Sequence, residues 1–239
     1  MASRAKRRAD RFSDPKSASR SVAWSRTGEP RAQNYAQAPR SVTEPRMIAE
    51  IRTSISYHYC VSEILFTPRL KLIAASTNQV RAIKDGDYST ASSLLTCRVP
   101  TGFPEDPAFR EGLSWHLAAL EDNPAHQLWR IRLVIEIVSN TVIGSINLKG
   151  PPSPEGDVEI GWGISPSARR RGFATEASSA VITWAFSSPL VLRVSATIPD
   201  ENVASQHVAR HVGMAKTHEL RRGLPLWCRC KTRQITVSS

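Results

Sequence analysis

The sequence predicts a mixed α/β fold built on a largely antiparallel sheet flanked by helices. Three observations carry that prediction. Leu128 to Val138 and Val142 to Leu148 are two apolar, β-branched runs separated by Ser139-Asn140-Thr141, the pattern of a hairpin. Val158 to Ile164 alternates and, after the loop Lys149 to Asp157, extends the hairpin into a meander. Beyond it the pattern changes to strand, helix, strand, the connection that parallel neighbours require.

Each element has its own local cause. Arg69 to Ala75 alternates and reads as the first core strand; Ser76-Thr77-Asn78 then supplies a helix cap ahead of Val80 and Ile83. Val99-Pro100-Thr101-Gly102-Phe103-Pro104 interrupts any helix. Phe109, Leu113, Leu117 and Leu120 recur at helical spacing, with a stop at Asp122-Asn123-Pro124. His116 lies beside that stripe, with no partner constellation nearby, and reads as structural. A helix over 172–187 puts Phe173, Ala177, Val181, Trp184 and Ala185 on one face, and Pro189 ends it. Leu190 to Ile198 is the next strand, a short helix runs to about Val212, and Met214 onward pairs with Leu224 to Lys231 as a final hairpin.

At 239 residues with 41% hydrophobic content, the chain suits one ordinary domain plus an extension, or two small domains. Of the net charge of +11, residues 1–60 hold +7, from 12 Lys and Arg against 5 Asp and Glu. Met1 to Arg46 is rich in Arg, Ser, Ala and Pro with no sustained period, so it cannot bury enough apolar surface to offset ordering. We therefore expect a basic disordered extension over 1–60 and a folded domain over 61–239. The extension reads as a polyanion-binding arm, a transit peptide, or a stretch without a role, and Met47 is an alternative start. No run approaches the ~18 apolar residues of a membrane span, so the expectation is a cytoplasmic protein away from membranes, as monomer or homodimer. Cys60, Cys97, Cys228 and Cys230 lack metal-type spacing and read as free thiols.

The stretch Arg169-Arg170-Arg171-Gly172-Phe173-Ala174-Thr175 carries the functional signal. A basic turn feeding a helix start presents unpartnered N–H groups and a partial positive charge, where phosphate docks. Gly172 admits close backbone approach, Ala174 is small for the same reason, and guanidinium suits phosphate geometry. A merely solvated loop is the competing reading of the three arginines.

Arg-x-x-Gly-x-Ala at a helix mouth, after a strand carrying Glu159-Ile160-Gly161, resembles the acyl-CoA pyrophosphate motif of the GCN5-related N-acetyltransferase (GNAT) superfamily. Downstream, Asn202 to Ser205 and His211-Val212-Gly213-Met214 are similar to its Asn-x-x-Ser helix and closing Gly-Phe, with Met214 replacing the aromatic. Among the branches, the chain looks most like the ribosomal-protein-alanine type. The resemblance spans about Leu65 to Arg233 and is strongest from Val142 to Met214.

That resemblance implies central strands that splay around acetyl-CoA as co-substrate. Ile160, Gly161, Trp162, Gly163 and Ile164 would then meet pantetheine, Arg169 to Thr175 the pyrophosphate, and Asn202 would contact the cofactor or cap its helix. It places the acceptor site between the first two strands, where Phe103 either lines it or plugs the core. Many relatives carry a tyrosine seven residues after the Asn; Ala209 stands there, and in the similar branch the residue facing the thiol is the serine, here Ser205. Glu159, an acid within an apolar strand, is the candidate base for deprotonating an amine, against the alternative that it faces solvent or pairs with an arginine. His207 and His211 are one turn apart without a third ligand in range, and no metal is expected. The expected reaction is acetyl transfer to a primary amine on a small molecule or a protein. The competing function is a non-catalytic acyl-CoA-binding or polyanion-binding module on the same fold.

Overall fold

The computed structural model describes residues 63–232. The extension expected over residues 1–60, with its disorder and its polyanion contact, lies outside the described residues. Strand β1 (Ile64–Phe66) opens the fold and pairs with β2 (Leu70–Ala74). Three helices follow: α1 (Thr77–Lys84), α2 (Tyr88–Leu95) and α3 (Pro107–Asp122). The expected cap of α1 forms as a reciprocal box, in which the Gln79 N–H donates to Ser76 Oγ and the Ser76 N–H to Gln79 Oε1. Helix α2 has no counterpart in the sequence reading, because only Ala91 and Leu95 of its Ser-rich turns are buried.

The strand expected from Leu128 begins later. Pro124–Trp129 coils into a 3-10 segment, held by Asn123 Oδ1 accepting from the Ala125 N–H and by Gln127 Nε2 donating to the Ala74 carbonyl. Strand β3 is Ile131–Glu136, and it turns through Asn140 (φ 44°) into β4 (Thr141–Leu148). Then come β5 (Asp157–Ile164), α4 (Phe173–Ser187), β6 (Arg193–Thr197), α5 (Val203–His211), β7 (Ala215–Arg221) and β8 (Leu224–Cys230).

The eight strands form one sheet in the order β1-β2-β3-β4-β5-β6-β8-β7. Every neighbouring pair is antiparallel except β5 and β6. Strand β8, last in sequence, thus inserts between β6 and β7. Strand alternation sends successive side chains to opposite faces. Ile73, Leu133 and Ile135 pack under α1 to α3, while Leu72, Val134, Ile146 and Ile160 pack against Phe173, Ala177 and Val181 of α4. Phe103 lies in the first of these cores, 2% exposed and edge-on to Phe109, so it plugs the core. In the far half of the sheet, Val194 and Ala196 join the α4 side, and Arg193, Ser195 and Thr197 carry a polar network on the other.

At Gly144 the β4 backbone runs so close to β5 that a Cβ would stand 2.2 Å from the Gly163 carbonyl oxygen. Only glycine fits between them. Among the described residues, no helix is long and apolar enough to cross a membrane.

Candidate active site

Strand β5 is paired unequally along its two edges. Against β4 the register runs from Gly144↔Ile164 to Leu148↔Ile160, whereas against β6 it stops at Glu159↔Ser195. Strand β6 continues to Thr197 on β8. Beyond Glu159 the two parallel strands therefore part, and the edge of Ile160 to Ile164 facing β6, apart from the Ile164 carbonyl, lacks a strand partner. The gap opens into a cleft of about 1040 Å³, with Trp162, Gly163 and Ile164 on one wall and Asn202 and Ser205 on the other.

The floor of the cleft is the turn into α4. Arg169 Nε donates to the Ile164 carbonyl at 2.8 Å, which ties the turn back to the end of β5. Arg170 (φ 62°) and Gly172 (φ 82°) both take left-handed backbone conformations, and Gly172 is the N-cap of α4 with no side-chain hydrogen bond to the helix start. The first N–H groups of α4 consequently have no side-chain acceptor, and they face the cleft alongside Phe173, Ala174 and Thr175. Aligned peptide dipoles add positive potential at this end.

The three arginines diverge. Arg169 and Arg170 line the cleft, the former with its guanidinium 3.7 Å from Asp106. Arg171 does not line it. The left-handed residue before it swings its side chain to the far side, where Nη2 meets Glu136 at 2.6 Å and the guanidinium covers the Phe173 ring at 4.6 Å. Arg69 lies over the same ring, also at 4.6 Å, and donates through Nε to Glu176 at 2.7 Å. Burial works to raise the Glu176 carboxyl, but hydrogen bonds from Thr67 and Arg69 together hold it below the usual carboxylate range.

The remaining expected residues fall into two groups. Ile160 sends its side chain into the core, so only its backbone edge is available to the opening. Gly161 lies on the other face, where an added Cβ would meet open space. Glu159, on that same face, is outside the main cleft. Its Oε1 accepts from Thr197 at 3.2 Å, its Oε2 from Arg221 at 3.1 Å, and Arg222 Nη2 reaches both oxygens at 2.5 and 2.7 Å. Asp157 beside it is held by Arg193, Ser195 and Arg221. These groups border a second, smaller pocket of about 360 Å³. Of the two environments the sequence left open for Glu159, the arginine pair is the one found.

Asn202 caps α5, its Oδ1 accepting from the Ser205 N–H at 3.0 Å, so cap and cleft wall are one residue. Ala209 is fully buried in the core. His207 and His211 stack at 4.1 Å, with His211 Nδ1 at 2.8 Å from the His207 carbonyl oxygen, and both line the cleft.

Sequence reasoning missed Glu176 and Ser179, which a helical period counted from Gly172 brings to the same face. It also missed Asp106, Arg221 and Arg222, for which no local signal existed: each arrives from a segment distant in sequence.

Residues 88–215 match the family model described as Acetyltransferase (GNAT) domain. Over 148 residues the chain is 26% identical to an N-acetyltransferase of Bacillus subtilis (strain 168), the uncharacterised YjdG, covering 62% of this chain and 82% of that protein. Among solved structures, an acetyltransferase from Agrobacterium tumefaciens str. C58 shares the fold with TM-score 0.51 and 21% identity, over 72% of this chain and 97% of its own. The RimL ribosomal L7/L12 alpha-N-protein acetyltransferase in complex with coenzyme A shares it with TM-score 0.50 and 18% identity, over 70% and 98%.

Proposed function

The chain belongs to the GNAT acetyltransferase family, and from that membership we propose that it transfers an acetyl group from acetyl-CoA to a primary amine by direct attack in a ternary complex. The observation that supports this most is the helix start of α4, without a side-chain cap, at the mouth of a cleft that continues along an open strand edge. The N–H groups at Phe173, Ala174 and Thr175 would hold the pyrophosphate, with Arg169 and Arg170 supplying guanidinium contacts. The free edge of Ile160 to Ile164 would hydrogen-bond the pantetheine amides.

The acetyl group would then lie where β5 and β6 part. The acceptor would approach from the face that carries Glu159 and Gly161, where Gly161 leaves open space. Its nitrogen lone pair attacks the thioester carbonyl, so a C–N bond forms as the C–S bond breaks. Ser205, on the cleft wall, would donate to the departing sulfur. A thiol of pKa near 8.5 also leaves without help.

The amine must lose a proton, and Glu159 is the acid nearest the point where the strands separate. Its carboxylate is engaged by Arg221 and Arg222, so this role requires Arg222, the more exposed of the two, to give way. Acetyl-CoA turnover with a panel of amines, read by thiol release, tests the reading. Acetyl-CoA binding without thiol release on any amine would leave a binding module instead.

A further inference from the structure

A second charged site lies beside the smaller pocket, built around Trp115 on α3. Trp115 is 46% exposed. Two cations stand against it: the Arg130 guanidinium at 5.2 Å and the Lys149 ammonium at 5.4 Å from the ring centroid. Attraction to the ring quadrupole holds cations there without neutralising them. Among the described residues, no carboxylate is within ion-pair distance of either. Asp157 and Glu159 are occupied by Arg193, Arg221 and Arg222, and Glu155 is turned to Ser153. Asp122 acts on Arg130 only through space.

Arg130 shows the lack of a counterion most directly. Its Nη1 donates to the Lys149 carbonyl at 3.1 Å, while its buried Nε has no hydrogen-bond partner among the described residues. Burial pushes its pKa down, and the Asp122 carboxylate, acting through space, only partly offsets that. His116, edge-on to Trp115 at 4.8 Å, is driven to a pKa of about 3 by burial and then by Lys149 and Arg130. It remains neutral at working pH and neither adds to the charge nor offsets it.

The position of this cluster gives it a use. The Lys149 N–H donates to the Glu159 carbonyl at 2.9 Å, continuing the β4–β5 register past Leu148↔Ile160. Directly opposed residues share a face, so Lys149 lies on the side of β5 that carries Glu159 and Gly161. Lys149 also lines the smaller pocket.

We propose that Arg130 and Lys149, set against Trp115, bind an oxyanion of the acceptor, a carboxylate or phosphate carried on the same molecule as the amine that is acetylated. The site would thereby select anionic amines over neutral ones. This selection rests on the acetyltransferase reading above, whereas binding of the oxyanion does not.

Two measurements separate those claims. Inorganic phosphate and acetate are titrated into the full chain while tryptophan fluorescence is followed, with Trp115→Phe identifying the responding ring. A saturable change that is lost in Lys149→Met supports the site, and the stronger of the two anions identifies the group. The absence of a saturable change, or one unaffected by Lys149→Met, overturns it. This arm is informative even if no amine is acetylated.

The second arm compares ω-amino carboxylates and aminoalkyl phosphates of increasing length with alkylamines of matched length. The expected result is a preference for the anionic series, with an optimum at one chain length. Lys149→Met should raise KM for that series about tenfold or more, about 1.4 kcal/mol, with kcat and the alkylamines unaffected. Arg130→Met should act in the same direction, and Lys149→Met carries the test if the half-buried Arg130 proves necessary for folding. Equal treatment of the two series, or equal loss on both in Lys149→Met, rejects the role in acceptor selection.

Discussion

Arg222 Nη2 spans both carboxylate oxygens of Glu159, at 2.5 and 2.7 Å, from a turn 63 residues downstream. Arg222 is itself in a left-handed conformation (φ 54°), followed by Gly223 (φ 76°), as the turn between β7 and β8 requires. The acid proposed above as proton acceptor is thus held by a side chain from a surface hairpin. If Glu159 is the base, Glu159→Gln should lower turnover roughly 10²-fold and leave acetyl-CoA affinity unchanged. Arg222→Ala should leave turnover equal or higher. Parallel losses in the two variants, measured by thiol release, would instead make the ion pair itself the functional unit.

The turn into α4 yields a second prediction. Gly172→Asp should weaken acetyl-CoA at least tenfold, about 1.4 kcal/mol or more by calorimetry. The loss comes from negative charge and from the φ of 82°, not from crowding, because a Cβ there meets only Arg69 Nη2 at 3.5 Å. Arg170→Ala should also weaken binding, whereas Arg171→Ala should not, since its guanidinium is spent on Glu136. An equal effect at 170 and 171 would mean that the turn rearranges around its ligand.

Gly144→Ala tests how β4 and β5 are joined. The new methyl would collide with the Gly163 carbonyl, and backbone cannot rotate aside as a side chain can. The expected destabilisation is about 1–3 kcal/mol by chemical denaturation. A wild-type midpoint would show that the two strands lie further apart in solution.

Glu176 sets a pH dependence. Its folded carboxyl lies below the ordinary glutamate range, so its contribution to stability is present above that range and is lost as pH falls through the folded value. Thermal melts should place Glu176→Gln below wild type at neutral pH, with the gap narrowing below about pH 4.5. A gap that stays constant into strong acid would assign the effect to packing.

The parts of this fold that announce themselves in sequence are those with local causes. The Ser139-Asn140-Thr141 turn, the Ser76 cap and the stripe from Phe173 to Ala185 each follow from neighbours within a few residues. The turn into α4 was legible for the same reason. What escaped depends on distant partners. Arg171 looks identical to Arg170 in sequence, and only the backbone twist at 170 directs it to Glu136 instead of the cleft. Glu159 alternates as an outward-facing residue should, but its arginines come from the last hairpin. Pairing order is equally invisible, because alternation in β7 and β8 marks strands without saying which of them meets β6.

The insertion of β8 between β6 and β7 has a consequence for how the domain is made. Strand β6 forms one side of the opening, and its antiparallel neighbour is residues 224–230. As the chain leaves the ribosome, the end of β6 at Thr197 emerges 27 residues before β8 begins at Leu224, and β7 cannot join the sheet ahead of β8. The hydrophobic strip Val194, Ala196 and Ile198 must wait, uncovered along one edge, for a segment synthesised later. Nascent chains stalled shortly before Leu224 should therefore be the ones that engage chaperones, while the β2–β5 meander is already protected from proteolysis.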